Sequence, residues 1–331
     1  MFELEASSTL LGAFPPSPPP SRLWLGVHPP HARLKVRGDP ETFNLTFRFN
    51  GFGLIAPFFP WPALLLDDGS RTLVVADLHL GFEFELSEKG VNLPSQTWRI
   101  KDKMLRMVEE AKPDSLIILG DLKHTIPKVS LQEWRDIPSF LQALKRKVQD
   151  VRLVLGNHDG GGEVFAGMGV TVHASRGLLL EAGGVKVGLF HGHAWPSPKL
   201  FEASCWVIGH NHPAIQFRSL LGFRTIRQVW VSAPINLRRL CGDFLKYRGV
   251  KAGGNPEKVL REKFNVKPAC RKLIILPAFN DLLGGLAFNA TPQSELIGPI
   301  TRSRGVQMDK AEVYLTDGIY LGLLKDLKKY G

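Results

Sequence analysis

Cysteine is scarce in this chain: only Cys205, Cys241 and Cys270 occur among 331 residues, and no two form a CxxC pair. That argues against a disulfide framework and fits a reducing compartment; the three read as small buried apolar residues, not as metal ligands. Long apolar runs are also missing. No stretch approaches the roughly 20 residues that a bilayer-spanning helix needs, so no membrane partner is expected. Positive charge is absent from the first residues, where Glu3 and Glu5 stand and no small-residue cleavage site follows, so an intracellular, cytoplasmic protein is expected. Acidic residues are the minority charge, 31 against 42 Lys plus Arg, which leaves +11 and favours a polyanionic partner such as nucleic acid. The remaining composition, 44% hydrophobic and 22% charged, is that of a soluble globular chain long enough to bury a sizeable core.

Residues 1–50 read as a flexible Pro-rich extension, with Pro15-Pro16-Ser17-Pro18-Pro19-Pro20 as its densest part. Such a stretch buries too little apolar surface to offset its ordering entropy. From 51 to 331 the pattern is that of one α/β domain. Thr72–Ala76, Ser115–Leu119 and Val151–Leu155 are short apolar runs expected as buried strands. Between them the spacing predicts a helix from Gln96 to Lys112, with Ser95 as its N-cap, and one running from a Ser130/Glu133 capping box to about Gln149. The result is a βαβαβ pattern with parallel strands. The second half reads mostly as β: a hairpin of Leu178–Glu181 with Val185–Phe190, then strands near Trp206–Ile208, Thr225–Val231, Lys272–Leu276 and Glu312–Leu315, the last turning at Asp317-Gly318.

Polar residues of one chemical kind follow these strands. The clusters are Asp77-Leu-His79, Gly120-Asp121, Gly156-Asn-His-Asp159, His191-Gly-His193 and Gly209-His-Asn-His212. Loops beyond the carboxyl ends of strands converge in α/β sheets, so ligands distant in sequence can meet there. Carboxylate, amide oxygen and imidazole together suit borderline ions such as Mn²⁺, Fe²⁺ or Zn²⁺. Glycines before Asp121, Asn157 and His210 permit close backbone approach. Any one cluster is weak, since Asn and Asp favour turns; five in succession, each ending an apolar run, point to a metal site.

The ordered series D-x-H, G-D, G-N-H-D, H-G-H and G-H-x-H resembles the calcineurin-like metallophosphoesterase superfamily, over Thr72 to about Pro213. Asp77-Leu-His-Leu-Gly-Phe-Glu83 leading to Gly90-Val-Asn-Leu-Pro94, Gly120-Asp-Leu-Lys-His124, Leu276-Pro-Ala-Phe-Asn280 and Gly284-Gly285 resemble a narrower branch. That branch comprises archaeal phosphoesterases similar to bacterial ligase-associated DNA-damage-response endonucleases, some linked to DNA helicases. The resemblance implies a four-layer αββα sandwich and two divalent ions, Mn²⁺ first. Asp77, His79, Asp121 and His212 would hold one ion; Asp121, Asn157, His191 and His210 would hold the other, with Asp121 bridging. Two such ions clamp phosphoryl oxygens and make hydroxide available near neutral pH for in-line attack on phosphorus.

The leaving alkoxide then needs a proton, and His158 beside Asn157 is the best donor, with Asp159 placed to orient or charge it. His193, His124 and Glu83 are lesser candidates, each with a structural or surface alternative. Arg238 to Lys272 holds eleven basic residues against Asp243, Glu257 and Glu262, a net +8. Phe244, Tyr247 and Phe264 lie among them and could stack on bases, although a solvated, partly mobile insertion accounts for the pattern equally well. The expected function is a metal-dependent phosphodiesterase acting on nucleic acid, a nuclease of the DNA-repair kind with a helicase as possible partner. The alternatives are a small-molecule or nucleotide phosphoesterase and, in another class, a catalytically silent scaffold, which would be expected to have lost ligands that are present here.

Overall fold

Strands that are apolar at successive positions need cover on both faces, and the fold supplies it. The computed structural model describes residues 47–49, 53–91, 93–126, 130–182, 184–219 and 221–331. The expected extension over 1–50 lies outside the described residues apart from Phe47–Phe49. A seven-stranded sheet runs in sequence order: β1 (Phe47–Phe49), β2 (Gly53–Pro57), β3 (Leu64–Asp67), β4 (Arg71–Val75), β5 (Ser115–Leu119), β6 (Asp150–Val154) and β7 (Thr171–His173). β1 to β4 pair antiparallel, and β4 to β7 pair parallel.

The second sheet has nine strands: β8 (Leu178–Ala182), β9 (Val185–Leu189), β10 (Cys205–Ile208), β11 (Pro213–Arg218), β12 (Arg224–Pro234), β13 (Lys272–Ile275), β14 (Leu286–Ala287), β15 (Glu312–Leu315) and β16 (Tyr320–Leu323). Its main path is β14-β11-β12-β13-β10-β9-β8, with β15 on β12 and β16 on β15. β9, β10 and β13 are mutually parallel. The expected hairpin closes with Ala182 opposite Val185, and Glu312–Leu315 turns back into β16.

Alternation along each strand separates three apolar layers. Val74, Ile117 and Leu119 meet Val187, Val207 and Ile274 between the sheets. Leu73, Val75, Leu116 and Ile118 face the other way, onto α2 (Thr97–Ala111) and α3 (Leu131–Lys145), which follow α1 (Phe82–Glu88). Trp206, Ile208, Leu273 and Ile275 pack with α5 (Leu237–Tyr247) and α6 (Pro256–Phe264), which come after α4 (Glu163–Gly167). The order is helix, sheet, sheet, helix: a four-layer αββα sandwich. The described residues contact one another as one compact unit.

Some boundaries differ from expectation. α2 starts one residue later than expected, with Gln96 at the N-cap position making no side-chain cap bond, while Ser95 Oγ donates to Asp136 and accepts the Thr97 N–H at 3.3 Å. α3 keeps its capping box but ends at Lys145, where Lys147 and Val148 turn back onto the Leu144 carbonyl and let β6 begin. The larger correction concerns Arg238–Lys272. It is no solvated insertion: Leu237, Leu240, Cys241, Phe244 and Leu245 bury one face of α5, and Leu260 does so for α6. Phe244 is fully buried and cannot stack on a base; Phe264 packs partly against the same core, and only Tyr247 is exposed. Removing side-chain volume between the sheets should be costly. Ile117→Ala is expected to destabilise the fold by about 2–5 kcal/mol, read from the urea midpoint.

Candidate metal centre

The strands β4, β5, β6, β9 and β10 end on one side of the molecule, and every expected ligand lies in the loop just beyond one of them. The loops are laced together by backbone bonds, His79 N–H to the Asp121 carbonyl at 2.8 Å and Gly209 N–H to the His191 carbonyl at 3.0 Å. Turning so sharply after a strand forces unusual backbone. Asp77, His79, Asp121, His210 and His212 have φ of 58°, 43°, 52°, 67° and 40°, five of the seven non-glycine positive values among the described residues. This left-handed region costs non-glycine residues about 1–3 kcal/mol each and persists only where the surroundings over-determine it.

Three groups of side chains gather there, each with ligand atoms within 4.8 Å of one another: Asp77, His79 and His212; Asp121, His191 and His210; and, beside them, His79, His124 and His158. Asp121 Oδ2 lies between the first two, 3.4 Å from His79 Nε2 and 3.1 Å from His191 Nε2. Asn157 Oδ1 is 3.2 Å from His191 Nε2, and Asp77 Oδ1 is 3.3 Å from His212 Nε2. All seven expected ligands therefore converge. His191 Nδ1 donates to the Leu119 carbonyl at 2.7 Å, which turns Nε2 toward Asp121.

Electrostatics suit cations. Burial opposes charge on Asp121, yet His191 and then His79 hold its carboxyl well below the usual carboxylate range. Burial likewise opposes charge on His191, but Asp121 outweighs it and carries the imidazole up to about 9. His210 is pushed down to about 3, by burial first and the charge of His191 next. His79 falls well below its ordinary value for the same leading reason. The imidazoles of His79 and His210, held neutral beside an ionised Asp121, are donors suited to a divalent cation. The Nε2 atoms of His79 and His212 are buried without any hydrogen-bond partner, as atoms reserved for a metal would be.

The catalytic pair expected from sequence separates. His158 is half-buried at the edge of the cluster, its ring centroid 4.7 Å from that of His79. Asp159 does not pair with it. Its carboxylate is buried and accepts the backbone N–H groups of Gly156, Asp121 and Leu122 at 2.8, 2.8 and 2.9 Å, tying the second and third loops together. Burial and the nearby Asp121 charge raise its pKa. His158 instead donates from Nδ1 to the His124 carbonyl. His193 packs edge-on to His210 and against His191, and is pushed down to about 4 by burial and then by His191. Glu83 is buried, no solvated loop residue: it accepts the Gln96 N–H and the Gln132 amide, joining α1 to α2 and α3.

Two residues named in the sequence only for a capping box and a family resemblance, Glu133 and Asn280, also support the ligand loops. Glu133 completes the capping box and also accepts the His124 and Thr125 N–H groups at 2.9 and 2.8 Å. Asn280 donates to the Leu78 carbonyl at 3.0 Å, and its own N–H meets the Asp77 carbonyl at 3.3 Å. Asn280 closely follows β13, a strand ending on the same side, and that position was the available signal.

A family model for calcineurin-like phosphoesterases matches residues 70–252, more than half of the chain. The chain belongs to the calcineurin-like phosphoesterase family, and it is a metal-dependent phosphoesterase. No curated protein sequence matches it. Among solved structures, Pseudomonas putida nuclease MPE is similar at a TM-score of 0.50 and 18% identity, covering 84% of this chain and 98% of its own. Yfce, a phosphoesterase from E. coli, is similar at a TM-score of 0.31 and 18% identity, covering 45% and 73%. At such identities the likeness concerns the fold, an αββα arrangement of two sheets with outer helices.

The closeness of the loops leaves no room at Gly156. A Cβ there would lie 2.2 Å from Asp121 Oδ1 and 2.5 Å from Asp121 N. Gly156→Ala is expected to displace the shared carboxylate, lowering bound metal at least about tenfold while circular dichroism stays native; elemental analysis after dialysis measures it.

Proposed function

We propose that this protein hydrolyses phosphodiester bonds of nucleic acid, with two divalent cations of the Mn²⁺ type. Asp77, His79, His212 and the shared Asp121 hold one; Asp121, Asn157, His191 and His210 hold the other. Bound there, the cations supply positive charge against the phosphoryl oxygens and lower the pKa of attacking water. The chain's own part is to fix those donors and to deliver a proton. His158 supplies it from Nε2 to the leaving oxygen, its Nδ1 anchored on the His124 carbonyl.

The observation that carries the nucleic-acid reading is an exposed cationic segment. Of the eleven basic residues from Arg238 to Lys272, all but Lys272 are exposed, while of the three acids only Glu262 is. The segment touches the chain past one ligand loop through Tyr247, exposed and 6.1 Å between ring centroids from Trp195, four residues past His191. A phosphate backbone crossing the site meets these cations, and Tyr247 offers a ring for stacking. Pseudomonas putida nuclease MPE, of similar fold, is a nuclease by its name. The resemblance to ligase-associated endonucleases makes DNA the first polymer to test.

The test is one Mn²⁺ activity panel of a generic phosphodiester, a phosphomonoester, single-stranded DNA, duplex DNA and RNA. Cleavage of a polymer with salt-sensitive binding is expected. Turnover of monoesters or free nucleotides alone, without such binding, would end the nuclease reading. In the same assay His158→Ala should retain both metals and lose at least about tenfold in turnover; undiminished turnover removes His158 from the acid role.

A further inference from the structure

Behind the ligand His79 stand two residues that the ligand set does not use. His124 brings its Nδ1 to 3.0 Å from Nδ1 of His79, and its Nε2 meets Glu85 Oε2 on α1. On the far side of the His79 ring, Nε2 is the buried, partnerless atom near Asp121. We infer that Glu85 and His124 set the tautomer of His79, so that a lone pair at Nε2, and not an N–H, faces the metal. The inference rests on the two-cation reading given above.

With one proton on each imidazole, the chain of bonds has only one consistent direction. An ionised Glu85 accepts and never donates. Lys89 pairs with its other oxygen and favours the ionised form. His124 must then carry its proton on Nε2, which leaves its Nδ1 bare. Across the 3.0 Å gap His79 must be the donor, with its single proton on Nδ1. Nε2 of His79 is then free for a cation. Were a donor placed where Glu85 stands, each link would reverse, and His79 would point an N–H at the metal.

His124 is held for this task. Its backbone N–H is shared by the Leu80 carbonyl and Glu133 Oε1, at 3.0 and 2.9 Å, and Phe82 packs edge-on at 5.1 Å between ring centroids. Its carbonyl anchors His158. One positioning residue thus serves both a ligand and the proton donor. Partners of this kind on a ligating imidazole typically tune metal affinity by about 10–100-fold.

Glu85 is the place to test this, because its side chain is 36% exposed and its replacement leaves the core intact. Calorimetric titration of the full chain with Mn²⁺ is expected to show Glu85→Ala binding about tenfold more weakly. Glu85→Gln, which keeps an acceptor, should recover most of the loss. Glu85→Lys, a donor of similar reach, should bind more weakly than the alanine variant. A role in packing alone would leave Gln and Lys alike. Two ions bound with equal affinity across all variants would overturn the role of Glu85 and His124. A wild-type stoichiometry of one ion or none would overturn the two-cation reading itself, and this inference with it.

Discussion

Three buried carboxylates govern this molecule's working end. Asp77, Asp121 and Asp159 are each nearly inaccessible, and a carboxylate taken out of water must be solvated by something else. Here the solvent is the backbone of a neighbouring loop. Asp77 accepts the His210 N–H, Asp121 accepts the His158 N–H, and Asp159 accepts amides of both its own loop and that of Asp121. Charge-assisted bonds of this type are roughly twice as strong as neutral ones. The loops that carry ligands are therefore held by the same negative charges that would draw cations, and neither arrangement is separable from the other.

The two sheets make that burial possible. Because β4, β5 and β6 are apolar on both faces, their ends lie under full cover, and the residues just past them enter low-dielectric surroundings without losing access to one open side. Asp77 at the end of one strand is fully buried, Asn157 past another is exposed, and the half-buried His158 lies between these extremes. The cost is local backbone strain, which the sandwich absorbs.

How much could be seen beforehand depended on the range of the interaction. Val74 and Ile117 announce strands because both their neighbours are also apolar, a local pattern. Asp77, Asp121, Asn157 and the ligand histidines were legible because their chemistry follows those strands immediately. Asp159 was assigned to its sequence neighbour His158, whereas its partners are largely in another loop; adjacency along the chain said nothing about contact. Phe244 carries two local signals, surrounding basic charge that suits a stacking ring and helical spacing that suits a core residue. Leu237, Leu240, Cys241, Phe244 and Leu245 recur at three- and four-residue intervals, which marks a buried stripe. Glu133 reads locally as a capping residue and Asn280 as a loop residue past a strand; their support of the ligand loops exists through tertiary hydrogen bonds.

The left-handed backbone at five of the ligands also limits how this centre can change over generations. Asp, Asn and His tolerate that conformation better than other side chains, and glycine adopts it freely, whereas valine, isoleucine or threonine there would be a genuine outlier. A lineage that abandons metal chemistry can therefore pass through asparagine or glycine at these positions with its scaffold intact. Drift toward branched residues would break the loops first. The geometry that makes the ligands costly to hold also writes in advance which alphabet their descendants can use.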